Sequence, residues 1–121
     1  MRRIAVIDDD SYMRDLLRIH LSAIGLAVEV FEDAAAGIRG ILNSPPDLLV
    51  LDLMLPDLGG LEVLQALKGD EATKHIPVVV LTSKTDDETY TQARRLGAGT
   101  FLTKPVRRED LIEGVLNLLY A

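Results

Sequence analysis

Five polar residues follow apolar segments of the sequence in a pattern that could place them at one site. Asp8 and Asp9 directly follow the segment RIAVI, and Asp52 interrupts the apolar run LLVLDLML. Thr82 follows IPVVVL, and Lys104 follows TFLT. Crowded carboxylates repel one another, and a hard divalent cation such as Mg²⁺, which prefers oxygen ligands, relieves that repulsion. Because an aspartate can also act as a nucleophile towards phosphorus, these residue types indicate Mg²⁺-dependent phosphoryl transfer to an aspartate.

Asp52 is the strongest of these signals because an aspartate inside an apolar run is expected to be buried. A buried, unpaired charge is costly unless something compensates it. Phosphoryl transfer depends mainly on positioning and charge neutralisation, which Lys104 could supply, and Thr82 could donate a hydrogen bond to a phosphoryl oxygen. Each residue alone also has an ordinary explanation, such as helix capping for Asp8 or a surface position for Lys104. Their convergence favours the functional interpretation.

Composition excludes several other classes of protein. A length of 121 residues suits one domain, and 48% apolar with 26% charged residues is a normal globular mixture. The absence of cysteine excludes disulfides, thiol catalysis and cysteine-based metal sites. A net charge of −6 disfavours direct binding of nucleic acid, and no apolar run approaches the roughly 20 residues of a membrane helix. We therefore expect one cytoplasmic domain over residues 1–121, with neither nucleic acid nor membrane as a direct partner.

Strands and helices are predicted to alternate along the whole sequence. Apolar runs predict strands at 3–7, 26–31, 48–53, 76–81 and 100–103. Helical spacing of apolar residues predicts helices at 13–24, 34–42, 61–67, 86–96 and 107–120. Strands without polar alternation, separated by helices, favour an α/β fold with a parallel sheet covered on both faces. Ligands bind at the carboxyl edge of such sheets, where all five candidate residues would lie.

The same segments resemble the receiver domain of two-component response regulators. The resemblance covers residues 3–120 and rests on four motifs in order, IAVIDDDS, LLVLDLMLPDLGG, VVVLTS and GAGTFLTKP. It implies a single-domain, doubly wound, flavodoxin- and CheY-like fold, with five helices and five parallel strands in the order 2-1-3-4-5. It also implies a signalling protein that catalyses only its own phosphorylation and dephosphorylation.

The resemblance implies a role for each acidic residue. Asp52 would accept the phosphoryl group from a sensor histidine kinase or a phosphotransfer protein. Asp9, Asp52 and the backbone carbonyl of Met54 would bind Mg²⁺ directly, and Mn²⁺ is a possible substitute. Asp8 would act mainly through a water molecule.

The resemblance also implies a conformational switch. Thr82 and Lys104 would contact the phosphoryl group, the Phe101 ring would move inward behind the Thr82 hydroxyl, and the Lys104–Pro105 peptide bond would be cis. Phosphorylation would shift an existing equilibrium so that residues 86–120 bind a downstream target or a fused output domain. The helix predicted within that region should reposition easily, because it has few apolar anchors, namely Tyr90, Ala93 and Leu96.

Two residues are expected to set the lifetime of the phosphoryl group. Met54 and Lys84 each stand two positions after a candidate site residue, where the family places the residues that flank the attacking water. A methionine side chain cannot orient that water. We therefore expect slow dephosphorylation.

Two other functions fit parts of the pattern. A phosphatase of the haloacid-dehalogenase type also combines aspartate, Ser/Thr, lysine and Mg²⁺, but its nucleophile lies in an Asp-x-Asp motif on the first strand. Here the acidic pair comes first and Asp52-Leu53-Met54 lacks the second aspartate. The other alternative is a binding domain that kept the fold and lost the chemistry. Turnover of a phosphate ester would favour the phosphatase, and failure to accept a phosphoryl group would favour the binding domain.

Overall fold

A computed structural model describes residues 1–83 and 86–121 of the chain. Within these residues, the strands are β1 (Arg3–Ile7), β2 (Ala27–Phe31), β3 (Leu48–Leu51), β4 (Val78–Thr82) and β5 (Thr100–Thr103). The helices are α1 (Ser11–Ser22), α2 (Ala34–Asn43), α3 (Gly60–Lys68), α4 (Asp87–Arg95) and α5 (Arg108–Leu119). All strand pairs are parallel and the order is β2-β1-β3-β4-β5. The predicted fold class and strand order are confirmed.

Element boundaries differ from the predictions by a few residues, most clearly in α1. The carboxylate of Asp10 accepts hydrogen bonds from the amides of Tyr12 and Met13, so the helix begins before its first apolar residue. It ends at Ser22, and Ile24, which was predicted to extend the apolar stripe, is 37% exposed. The Asp10 cap therefore sets the start of α1, and the apolar pattern alone places both limits about two residues late.

The sheet is covered on both faces, which explains why its strands lack polar alternation. On one face, side chains of α2, α3 and α4 pack against strand residues that include Ile7, Leu51 and Val80. On the other, α1 and α5 pack against residues that include Val6 and Leu81. Every residue of β3 and β4 is consequently buried.

Helix α2 lies very close to β1 because of a glycine. A Cβ atom built on Gly37 would collide with the side chain of Ile7. Glycine usually weakens a helix, but at this position it lets the helix backbone approach the strand. Ile7 is the last residue of β1 and directly precedes Asp8, so this close packing lies beside the candidate site.

Candidate functional site

Strand register brings the candidate residues to one edge of the sheet. Ile7 pairs with Leu51, so Asp8 and Asp52 follow their strands at the same level. The Asp52 amide donates a hydrogen bond to the carbonyl of Ile7 at 2.9 Å. On the other side of β3, Thr82 pairs with Thr103 in β5, and the Lys104 amide donates to the Thr82 carbonyl at 2.9 Å. Backbone pairing thus positions all of these residues.

A half-buried lysine joins two of the carboxylates. Lys104 Nζ lies 2.8 Å from Asp8 Oδ2 and 3.2 Å from Asp52 Oδ2. The side chains of Asp8 and Asp52 are only 2% and 4% exposed, and that of Lys104 is 17% exposed. Charges held this close and this far from solvent interact more strongly than surface ion pairs.

Burial and charge pull the pKa values of this cluster in different directions. Burial raises the pKa of Asp8 above its ordinary value, although the hydrogen bond from Lys104 works against that change. The negative charge of Asp52 adds to the increase. For Lys104, burial works to lower the pKa, but the hydrogen bond to Asp8 and the attraction of Asp52 outweigh it and raise the pKa. Lys104 is therefore held in its charged form between two carboxylates.

The same carboxylates form a cluster that could hold a metal ion. Asp8, Asp9 and Asp52 each offer an oxygen, and these oxygens lie within 4.8 Å of one another. Three carboxylates and one lysine make up the cluster, so its formal charge is negative. Asp8 Oδ2 is buried, and among the described residues its contact is the Lys104 ammonium at 2.8 Å, with no backbone amide donating to it. An all-oxygen, electronegative cluster with unused acceptor capacity fits a hard divalent cation.

The loop after β3 is folded tightly around Asp52. The Met54 amide donates to Asp52 Oδ1 at 2.9 Å, and the Gly60 amide donates to the Leu53 carbonyl at 3.0 Å. A Cβ atom on Gly60 would collide with Leu53 Cα and crowd the Asp52 carbonyl oxygen, so only glycine fits there. Asp52 itself was predicted inside a strand over 48–53, but β3 ends at Leu51 and Asp52 begins this loop.

Thr82 and Phe101 lie on the neighbouring strands. Thr82 is fully buried at the end of β4, and the half-buried Phe101 in β5 pairs with Val80, two residues before Thr82. The ring of Tyr90 in α4 meets that of Phe101 edge to face, with centroids 5.2 Å apart. The Lys104–Pro105 peptide bond is cis.

One predicted anchor of α4 is wrong. Tyr90 is 43% exposed, whereas Thr89 and Ala93 are buried. The Tyr90 ring packs on Phe101, and Arg94 lies 5.9 Å from its centroid. Leu96 is only half buried.

Sequence reasoning missed two residues at the rim of the site. Arg14 Nη1 donates to the backbone carbonyl of Asp8 at 2.8 Å, which links α1 to the acidic pair. Asp57, in the loop after β3, accepts hydrogen bonds from two backbone amides of α2. The sequence shows an acidic residue directly after Pro56, but it does not indicate that this residue accepts hydrogen bonds from α2. Lys84 lies outside the residues that the structure describes, so its role stays a prediction.

Residues 4–116 match the sequence profile of the response regulator receiver domain family. The chain belongs to this family. A receiver domain is a signalling domain of two-component systems rather than a classical enzyme, which agrees with the expectation drawn from the four motifs. Within the residues that the structure describes, no helix has both the length and the apolar character needed to cross a bilayer.

Two relatives of this chain are named as regulators of transcription. The chain is 40% identical over 119 residues to the "DNA-binding dual master transcriptional regulator RpaA" of Synechocystis sp., a match covering 98% of this chain and 49% of that protein. It is 32% identical over 111 residues to the "Phosphate regulon transcriptional regulatory protein PhoB" of Pseudomonas aeruginosa, covering 92% and 48%. The chain thus spans about half the length of these relatives.

A solved structure supports the same assignment of fold and family. A CheY-like response regulator receiver domain protein from Methanospirillum hungatei superposes with a TM-score of 0.93 at 28% identity. That match covers 98% of this chain and 94% of the other. The sequence profile and the fold comparison therefore point to the same family.

Proposed function

We propose that this chain is one receiver domain over residues 1–121 in which Asp52 accepts a phosphoryl group. The observation that carries the proposal is the buried Asp52 carboxylate, 3.2 Å from Lys104 and beside Asp8 and Asp9. A carboxylate oxygen of Asp52 attacks the phosphorus of a phosphohistidine, the phosphorus–nitrogen bond breaks, and the histidine nitrogen keeps the electron pair. The donor is a sensor histidine kinase or a phosphotransfer protein.

The acidic residues of the cluster hold the cation that this reaction needs. Asp9, Asp52 and the Met54 carbonyl would hold Mg²⁺ directly, Asp8 would act through water, and Mn²⁺ could substitute. When bound, Mg²⁺ neutralises charge on the transferring phosphoryl group. Lys104 contributes a second positive charge beside the oxygens of the transferring phosphoryl group, because its ammonium already lies between Asp8 and Asp52. The only catalysis is self-phosphorylation and self-dephosphorylation.

Phosphorylation acts through the two strands beside the site. The Thr82 hydroxyl donates to a phosphoryl oxygen, and the Phe101 ring moves inward behind it. The new charge and acceptor oxygens bias an equilibrium that exists beforehand. Residues 86–120 then present a surface to a downstream target or to a fused output domain. With a net charge of −6, this chain is not itself the nucleic-acid-binding part.

Intact mass after incubation with acetyl phosphate and Mg²⁺ tests the proposal. We expect one phosphoryl adduct, absent with EDTA and absent in Asp52→Asn. Asp47→Asn is the matched control, because Asp47 is an exposed aspartate just before β3, at the opposite edge of the sheet, and should leave the adduct unchanged. Failure of a folded, Mg²⁺-containing sample to form the adduct would favour a binding domain that signals without phosphate.

The lifetime of the adduct tests the role proposed for Met54. The Met54 side chain is 53% exposed and lies beside Asp52. Its thioether has no hydrogen-bond donor and is a weak acceptor, so it cannot direct a water towards phosphorus. Met54→Asn places a hydrogen-bonding amide there, so the adduct should decay faster than in the unsubstituted chain. Lys84 is proposed to tune the same step. An unchanged decay rate in Met54→Asn would refute this role.

A further inference from the structure

Asp57 connects the loop after β3 to the N-terminus of helix α2. Its Oδ1 accepts a hydrogen bond from the Ala34 amide at 3.0 Å, and its Oδ2 accepts one from the Ala35 amide at 3.1 Å. Both donors lie in the first turn of α2. Asp57 is therefore a cap supplied by a distant segment, 23 residues from Ala34 in sequence.

Helix α2 already has a cap of its own. Asp33 Oδ1 accepts a hydrogen bond from the Ala36 amide at 2.8 Å, as an ordinary N-cap does. The amides of Ala34 and Ala35 would otherwise have no protein acceptor in this turn, since early amides of a helix lack intrahelical partners. The hydrogen bond from Ala34 is the main cause that lowers the pKa of Asp57, so the acceptor is a carboxylate at neutral pH.

The segment held by Asp57 is the loop that carries the site. Residues 52–59 contain no helix or strand, and Met54 and Asp57 lie three positions apart within them. At its start the loop is fixed by the bond from the Met54 amide to Asp52, and at its end by that from the Gly60 amide to Leu53. Leu55 and Leu58 also pack against the core. Between these two ends, the loop is held to α2 by the two hydrogen bonds that Asp57 accepts.

We propose that Asp57 is a positioning residue for the cation site. By fixing residues 53–59 against α2, it holds the Met54 carbonyl and Asp52 in the arrangement that a divalent cation requires. Helix α2 lies directly against β1, because Gly37 lets its backbone approach Ile7, the residue before Asp8. The end of β1 and the loop after β3, which carry the acidic cluster, therefore both contact α2. The inference rests on the proposed function, which supplies the role of the Met54 carbonyl.

Direct binding of Mn²⁺, followed by electron paramagnetic resonance, tests this proposal without any phosphoryl transfer. We expect Asp57→Ala to bind Mn²⁺ at least about 10-fold more weakly, because losing a group that orients metal ligands typically weakens binding by about 10- to 100-fold. Asp33→Ala is the matched control, because it removes a cap from the same helix without touching the loop. Its Mn²⁺ affinity should equal that of the unsubstituted chain. Asp57→Asn, which keeps one carbonyl acceptor, should fall between the two.

A second measurement separates positioning from helix stability. Amide hydrogen exchange at Met54 should become faster in Asp57→Ala and remain unchanged in Asp33→Ala, with folding of both variants checked by circular dichroism. Equal Mn²⁺ affinity in Asp57→Ala and the unsubstituted chain would overturn the inference, as would equal weakening in Asp33→Ala. If the unsubstituted chain neither binds Mn²⁺ nor accepts a phosphoryl group, the proposed function fails first and the inference fails with it.

Discussion

Helices α1 and α4 both begin at the functional edge of the sheet, but they are held in very different ways. Each follows a strand that delivers site residues, and each begins with an aspartate cap, Asp10 or Asp86. Helix α1 has 12 residues and buries three large side chains, Met13, Leu17 and Leu21. Helix α4 has nine residues, and its buried residues are the smaller Thr89 and Ala93.

This difference suggests separate roles for α1 and α4 at the functional edge. Large apolar side chains contribute most of the free energy of burial, so α1 should anchor the acidic pair that precedes it. Helix α4 has little apolar area to lose and can move at small cost relative to Thr82, which precedes it. Stability should therefore depend on α1 and conformational response on α4.

The largest expected effect comes from removing a buried side chain of α1. Leu17 is 1% exposed, so Leu17→Ala should lower the free energy of unfolding by about 2–5 kcal/mol through lost burial and a new cavity. Urea denaturation measures this change. Ile19→Ala is the control in the same helix, because Ile19 is 63% exposed and its substitution should matter by less than about 0.5 kcal/mol. Equal losses in the two variants would remove the basis of the comparison.

The apolar stripe of α1 was predictable because its large side chains repeat at helical spacing over several turns. Helix α4 offers fewer apolar residues, so sequence alone does not determine which of its sides faces the core. Tyr90 was assigned to the core on that basis, but its ring has a partner outside the helix, Phe101. Thr89 takes the buried position instead.

The candidate site divides in the same way. Asp8, Asp9, Asp52, Thr82 and Lys104 were predictable because strand ends in a parallel sheet meet at one edge. The contacts of Arg14 and Asp57 were not, because each joins a side chain to a backbone group whose position depends on tertiary packing. Polar side chains at strand ends can be predicted from sequence, whereas the partners of side chains that fix loops depend on the tertiary structure.

Amide hydrogen exchange should reveal the difference between the two helices directly. The interior amides of α4 should exchange roughly tenfold or more faster than those of α1 in the unmodified chain, because fewer apolar contacts must open. Nuclear magnetic resonance of the uniformly ¹⁵N-labelled chain resolves both helices in one sample, so α1 is the internal control. Equal protection of the two helices would contradict the loose attachment of α4.

Substitution of Phe101 tests whether the response travels through α4 and β5. Phe101→Ala removes the edge-to-face contact with Tyr90, a contact worth about 0.5–1.5 kcal/mol beyond burial. The phosphoryl adduct on Asp52 should still form, but the change in α4 exchange that follows phosphorylation should be lost. Tyr90→Phe keeps both rings and should preserve that change. Loss of the adduct itself in Phe101→Ala would refute the assignment of Phe101 as a switch residue.

The smallest expected effect concerns acid stability and the loop after β3, which belongs neither to α1 nor to α4. The amides of Ala34 and Ala35 lower the pKa of Asp57 below its ordinary value of 3.8 in the folded chain. The resulting stability is fully present above pH 3.8 and is lost as the pH falls through the lower, folded-state pKa.

Asp57→Asn lacks this titration. Its urea midpoint should therefore lie slightly below that of the unsubstituted chain at pH 7 and converge with it under acid conditions. Asp33, which caps the same helix through Ala36, is unchanged in both proteins, so the difference isolates the contact between the loop and α2. A difference that persists or grows as the pH falls would mean that Asp57 stabilises the fold by something other than its negative charge.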